Sequence, residues 1–392
     1  MPNLSPDVAA AKDALIALRR DLHQHPELAY AETRTAGVIA DFLRDSGLEL
    51  RQGVAGTGLV ASTPERPGRS VLLRVDMDGL PVQEESNAPY ASLIAGTMHA
   101  CGHDGHVAMG AVAARVLARR SLPGTARVLF QPAEEGEGGA QRVVADGALD
   151  GIDVVLGVHL WNELPVGTLG VKAGPLMAAV DGFEIAVHGR GGHGAMPHQA
   201  KDPVVAAAQV VLALQTIVSR QVSPVKAAVL TVGAIHGGQA FNVIPDLVTL
   251  TGTIRTHDPE LRRSMPERVR TLAEGVAGAH GCRAELRWRQ GNPAVINDAG
   301  VAEIARRAAR RVVGGERVVE PEPTMGGEDM AVYFERVPGC FVFVGSGNPA
   351  RGLVEPHHSP RFDFDEDALA IGCEFLVEAA VEALRPPDDR PR

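Results

Sequence analysis

Four places along the chain hold side chains that could do chemistry together. The densest is His99-Ala100-Cys101-Gly102-His103-Asp104-Gly105-His106. Thiolate and imidazole are good ligands for Zn²⁺ and related divalent ions, and Gly102 and Gly105 are expected to let the backbone bend around one. The competing reading is a helix start capped by Asp104, with a buried cysteine and surface histidines. The spacing is not that of a Cys-x-x-Cys structural zinc site. Next comes Gln131-Pro132-Ala133-Glu134-Glu135-Gly136. Adjacent carboxylates repel unless a cation separates their roles, one binding metal while the other takes a proton from the activated water. Two solvated glutamates opening a helix, where the dipole favours them, would also explain the pair. The third place is His159, in Gly157-Val158-His159-Leu160-Trp161, and the fourth is His357-His358-Ser359-Pro360. Either could be an ordinary histidine. Together the four supply a thiolate, three imidazoles and two carboxylates, more than one tetrahedral site uses. That set suits two metals about 3.5–4 Å apart with a bridging water.

These residues need elements to carry them. Helical periodicity runs over 8–22 and 32–46, and Val71-Leu72-Leu73-Arg74-Val75 reads as a buried strand ending in Asp76-Met77-Asp78-Gly79. A helix is expected over 104–120, a strand over 126–131, a helix over 137–146 and a strand over 154–159. Strands alternating with helices imply an α/β domain with a largely parallel sheet, whose functional residues gather beyond the carboxyl ends of its strands. Between 179 and 291 the rhythm changes to strand 181–189, helix 202–220, strands 226–235 and 246–255, helix 259–280 and strand 282–290. That β-α-β-β-α-β order is the split-βαβ, ferredoxin-like arrangement. The α/β pattern then resumes with helix 298–313, strand 339–344 and helix 366–384. The expected architecture is a discontinuous α/β domain, 1–178 and 292–392, with a second domain, 179–291, inserted. The Pro/Asp/Arg tail from Arg385 is expected to be disordered.

Composition narrows the classes. At 392 residues, 45% of them apolar and 22% charged, the chain can bury large cores without staples. A net charge of −10 without a long basic run argues against a nucleic-acid or polybasic membrane surface. The longest apolar run, Val204 to Val218, falls short of the ~18 residues of a membrane span. With no signal-peptide pattern and four scattered cysteines, a cytoplasmic, reducing location is expected. There is no Gly-x-Ser-x-Gly elbow, phosphate loop or His-Glu-x-x-His.

Taken in order, the motifs resemble the metallo-amidohydrolase branch of the peptidase family that includes aminoacylase, hippurate hydrolase and the plant auxin–amino acid conjugate hydrolases. The resemblance spans essentially the whole chain. It includes Arg74-Val75-Asp76-Met77-Asp78-Gly79-Leu80-Pro81, Cys-Gly-His-Asp-Gly-His at 101–106, Pro132-Ala133-Glu134-Glu135-Gly136 and Gly157-Val158-His159. Gly191-Gly192-His193-Gly194-Ala195-Met196-Pro197-His198 and the His357-His358-Ser359-Pro360 end complete it. It implies two divalent ions per subunit (Zn, Mn, Ni or Co) held by Cys101, His103, Glu135, His159 and His358, with Glu134 as general base. Cys101 takes the bridging place where other branches use an Asp. Their His-x-Asp is here Asp76-Met77-Asp78, so the first metal site is remodelled, and Asp76 and Asp78 are read as groups orienting the ligands. By the same resemblance, His193 reaches the neighbouring subunit's site. Asn242 and Arg255 handle the substrate carboxylate or the oxyanion, and Gly326-Gly327-Glu328-Asp329 is a backbone-donor loop, with Gly327 substrate-binding. Met177, Met325 and Leu353 are candidate acyl-pocket walls.

The expected function is metal-dependent hydrolysis of the amide bond of small N-acyl or N-aroyl amino acids, with the inserted domain as a lid and homodimerisation module. A di- or carboxypeptidase with the same machinery is the alternative. A metal-dependent binding protein on a degenerate scaffold is disfavoured by the presence of both Glu134 and Glu135.

Overall fold

The computed structural model describes residues 2–136 and 138–385, which form two compact units. Glu137, at which the expected helix 137–146 would begin, and the expected disordered tail beyond Arg385 lie outside the described residues. Of the described residues, the first unit comprises 2–136, 138–176, 296–322 and 329–385, and the second comprises 177–295 and 323–328.

The first unit is built on an eight-stranded sheet. Its centre is four parallel strands in the spatial order Thr125–Gln131, Ser70–Asp76, Val154–Pro165, Gly339–Gly347. Strands buried on both faces read as near-continuous apolar runs, and Ser70–Asp76 and Gly339–Gly347 are buried at every position. Antiparallel Gly58–Ser62 and Glu49–Val54 extend one edge. The chain leaves Ser70–Asp76 and crosses to one side through helix His103–Arg119, then returns to the other side of Ser70–Asp76 as Val154–Pro165. That reversal of winding lies between Ser70–Asp76 and Val154–Pro165, and open α/β sheets bind ligands outside the carboxyl ends of the strands at such a switch point. Helix His103–Arg119 is buried along almost its whole length, against the sheet and helices Lys12–Gln24 and Asp367–Leu384.

Two local expectations need correction. The strand expected over 154–159 continues to Pro165, so His159 lies inside it rather than at its end. It remains at the rim because Arg74 pairs with Gly157, which sets His159 level with Asp76, the last residue of the neighbouring strand. Gly105 does not bend the backbone; it sits in regular helix, and a Cβ there would meet Leu160 Cδ1 at 2.7 Å and Phe364 Cζ at 2.8 Å. Its role is close packing. Gly102, at φ +87°, does make the left-handed turn that starts the helix at His103.

The second unit holds a four-stranded antiparallel sheet in the order Ala228–Gly237, Leu247–Thr256, Ala179–His188, Arg283–Gln290. Burial alternates strictly along Ala179–His188, so one face of the sheet is covered. Helices Pro203–Thr216 and Pro259–Ala279 share its core, with Ile185, Val210, Leu214, Leu250, Met265 and Val269 buried together. The helix expected over 202–220 is Pro203–Thr216 continued by a π-helical turn, Ile217–Gln221; although the apolar run Val204 to Val218 falls short of a span, the whole 19-residue helix is long and apolar enough to cross a membrane by length and composition. Its inner face, from Ala206 to Ile217, is spent on the second unit's core.

Candidate metal centre

Three turns at the rim of the first unit bring the acidic and ligating side chains together. After Gln131 the chain kinks at Ala133, which holds a left-handed φ of +56° and donates its N–H to Glu32 Oε1 at 2.9 Å. Glu134 is buried beyond that kink, with one carboxylate oxygen accepting the Asp329 N–H at 3.3 Å. Glu135 donates its N–H to Asp78 Oδ2 at 3.0 Å, so Asp78 ties one strand end to the next. On the far loop, His358 is left-handed at φ +68°, and its N–H donates to the Ala100 carbonyl at 2.8 Å. The kink sends the two histidines different ways. His357 Nε2 donates to the Leu160 carbonyl at 2.9 Å, while His358 Nε2 lies 3.2 Å from Glu135 Oε1.

Cys101 belongs to two groups whose ligand atoms lie within 4.8 Å of one another, Cys101–His103–His159 and Cys101–Glu135–His358. A third such group, His103–Glu134–Glu135, overlaps both. One thiol shared by two clusters is the arrangement that two neighbouring cations need.

The lone pairs are aimed accordingly. His103 Nδ1 donates to the Asp78 carbonyl at 2.9 Å, leaving its buried Nε2 without a hydrogen-bond partner, 3.8 Å from Asp76 Oδ1 and 4.0 Å from Glu135 Oε1. His159 Nδ1 donates to the Leu160 carbonyl at 2.6 Å, so Nε2 carries the lone pair, 3.5 Å from Cys101 Sγ. Fixing one ring nitrogen to a carbonyl so that the other faces a cation is the usual support of a metal-binding imidazole.

Electrostatics agree. Burial, with the neighbouring histidines, pushes His159 well below the ordinary imidazole value, which keeps it a neutral donor. Burial opposes charge on His103, but Asp76 and Asp78 outweigh it and raise that ring well above the ordinary value. The Cys101 thiol and then Glu135 push His358 up to about 10. Burial pushes the Cys101 thiol itself up, with Glu135 adding to the effect. The acids therefore favour positive charge at the points where His103 and His358 face them. With a buried unpartnered imidazole nitrogen and an S/N/O donor set, the residues fit divalent ions of the zinc type.

The structure gathers Asp76, Asp78, Cys101, His103, Glu134, Glu135, His159 and His358 in the first unit. The other expected site residues belong to the second unit. There, exposed His193 pairs with Val243 in a two-residue antiparallel ladder, and the Asn242 carbonyl accepts the Gly194 N–H at 2.8 Å, so His193 and Asn242 are close neighbours. Arg255 is half-buried and bonds Thr253 Oγ1 and the Ile254 carbonyl. Its register partner is Val180, whose Cγ2 also occupies the space beside Gly327. Met177 and Met325 lie in this unit, whereas Leu353 belongs to the first, so the three expected pocket walls are divided.

Sequence reading assigned no role to Arg74, His106 or Gln131, and to Asp329 only a place in the backbone-donor loop; all four are buried in one hydrogen-bonded cluster behind the rim. A signal existed: Arg74 is a charge inside an otherwise apolar strand, and such a charge has to be paired.

Known proteins share this chain's sequence and fold. A family model described as peptidase family M20/M25/M40 matches residues 72–382. An N-acetyl-L-cysteine deacetylase of Bacillus subtilis is 43% identical over 381 residues, 96% of this chain and 90% of that protein. An IAA-amino acid hydrolase ILR1-like 2 of Arabidopsis thaliana is 38% identical over 95% of this chain and 86% of its own length. The crystal structure of Bacillus subtilis YXEP, described as a dinuclear metal-binding peptidase, superposes with a TM-score of 0.85 at 40% identity, covering 96% of this chain and 99% of that one. Family model, relatives and fold agree that this chain belongs to the M20/M25/M40 family of metal-dependent hydrolases, in the branch of the amidohydrolases and auxin-conjugate hydrolases.

Proposed function

We propose that this amidohydrolase cleaves the amide bond of N-acyl or N-aroyl amino acids, releasing a carboxylic acid and a free amino acid. The observation that carries the reading is the pair of ligand clusters sharing Cys101 beside the buried carboxylate of Glu134. Cys101, His103, Glu135, His159 and His358 would hold two divalent ions of the Zn, Mn, Ni or Co type. Bound cations of this kind polarise an amide carbonyl and lower the pKa of a water. Glu134 takes the proton from the attacking water and returns it to the leaving amine. The Asp329 N–H fixes the direction in which that carboxylate faces, and Asp76 and Asp78 orient the imidazoles.

On this reading the second unit is a ferredoxin-like lid and dimerisation module. Arg255 forks onto the free α-carboxylate of the substrate, with Asn242 and the Gly327 backbone beside it, and His193 donates to the oxyanion of the neighbouring subunit's site. The activities in two relatives' names, N-acetyl-L-cysteine deacetylase and IAA-amino acid hydrolase, support an N-acyl amino acid as substrate class. Four free cysteines suit a reducing, cytoplasmic compartment.

Glu134→Gln keeps the shape and removes the base. It is expected to lower kcat by at least a thousandfold while metal content per chain is unchanged; unaltered turnover would overturn the mechanism. The similarity to a solved dinuclear peptidase favours one second reading, di- or carboxypeptidase activity. A panel of acetyl-, benzoyl- and aminoacyl-amino acids compared by kcat/KM separates the two.

A further inference from the structure

His106 is a fully buried imidazole that the proposed reaction does not use, although it lies in a group with Asp76 and His103 whose ligand atoms are mutually close. Its hydrogen bonds decide against a ligand role. The Leu160 N–H, which can only donate, points at His106 Nε2 at 2.9 Å. That nitrogen is therefore the acceptor, the proton is on Nδ1, and Nδ1 donates to Asp76 Oδ1 at 2.6 Å. No lone pair is left for a cation. Asp76 is held in turn, its Oδ2 accepting from Arg74 Nη1 at 2.7 Å, and Arg74 reaches Asp329 Oδ1 with Nη2 at 2.8 Å.

That N–H belongs to the peptide joining His159 to Leu160, whereas the Leu160 carbonyl, in the next peptide, accepts from His159 Nδ1 at 2.6 Å and from His357 Nε2 at 2.9 Å. His106 thus grips the peptide plane that leaves the His159 Cα, directly before the one whose carbonyl grips the ring of His159. Because a peptide plane is rigid, fixing this N–H fixes the backbone from which the His159 ring projects.

We infer that His106 is a positioning residue for metal binding: by anchoring the His159–Leu160 peptide it sets the orientation of His159, with Asp76 and Arg74 holding His106 in its own tautomer. This rests on the proposed ligand role of His159. Groups that hold a metal-binding histidine in this way typically govern 10–100-fold of metal affinity.

The test uses the purified full-length chain and Zn²⁺ alone, with affinity measured by competition against a chromogenic chelator and folding checked by circular dichroism. His106→Leu, close in volume but without the acceptor, is expected to weaken Zn²⁺ binding about 10–100-fold. His106→Gln, whose amide oxygen can accept the Leu160 N–H, is expected to recover most of it. A folded His106→Leu protein with wild-type Zn²⁺ affinity would overturn the inference. So would equal weakening in both variants, since that marks loss of packing alone. If His106→Leu does not fold, His106→Gln is compared with His106→Asn, which is too short to reach the N–H; equal Zn²⁺ affinities in that pair would count against the role. Failure of the underlying ligand assignment looks different: His159→Ala would then bind Zn²⁺ like wild type.

Discussion

Asp104 shows how a residue that caps a helix in the linear reading becomes something else once folded. Its carboxyl is fully buried, and Oδ2 accepts from Arg19 Nε and His23 Nδ1, each at 2.8 Å. Burial alone would raise its pKa, but Arg19 and then His23 outweigh burial and hold the carboxyl well below the usual carboxylate range. A depressed folded-state pKa contributes stability that is present above the unfolded value, about 3.9, and is lost as pH falls below it toward the folded pKa. Asp104→Asn leaves the buried Arg19 short of a counter-charge and is expected to cost about 3–5 kcal/mol at pH 7. In thermal melts the gap to wild type should narrow steadily below about pH 4. A gap independent of pH would remove the ion pair as its source. What the sequence left illegible at this scale was partnership: Arg19, His23 and Asp104 are 85 positions apart end to end, and no local pattern pairs them.

At the scale of elements, helix His103–Arg119 is the part on which the rim depends, because it presents His103 in its first turn and His106 one turn later. It lies so close to Val154–Pro165 that Gly105 has no room for a methyl group. Gly105→Ala is expected to destabilise by about 1–3 kcal/mol through overpacking, although alanine is the better helix former. Gly275 is the matched control. It is exposed in helix Pro259–Ala279, and a Cβ there would meet nothing within 4 Å, so Gly275→Ala should stabilise by about 0.5–1 kcal/mol. Denaturant melts of the two variants test the opposed signs. Element identity was largely legible, since period-2 and period-3.6 patterning dictates strand and helix with little tertiary help. The helix expected over 298–313 is Ala299–Val313, and the strand expected over 246–255 is Leu247–Thr256. The continuation of Val154–Pro165 was not legible, because beyond Leu160 its residues are less buried and carry no apolar alternation.

For the whole molecule, the remaining apolar surface sets the expectation. Val204, Val205 and Leu212 are exposed on the outer side of the apolar helix, and Ile235 is exposed on Ala228–Gly237, an edge strand of the four-stranded sheet. An uncovered apolar face beside an unpaired strand edge invites a second copy. Light scattering coupled to size exclusion is expected to give twice the chain mass, 82.4 kDa against 41.2 kDa for one chain. Leu212→Glu should shift the distribution toward the single chain. A wild-type monomer at micromolar concentration would remove the proposed shared role of His193.

By itself the sequence determined which side chains were available and which elements would carry them. Cys101, His103, Glu134 and Glu135 sit in short motifs at the boundaries of patterned strands and helices, and such boundaries follow from local periodicity and turn residues. The resemblance already gave Cys101 the bridging place, but only the tertiary structure decided that His106 has both nitrogens committed and that Gly105 is there for space. The reason is physical. Availability of a lone pair, or of room for a methyl group, depends on what arrives from distant parts of the chain, here the Leu160 peptide, Asp76 and Phe364, and sheet order and register bring those groups together.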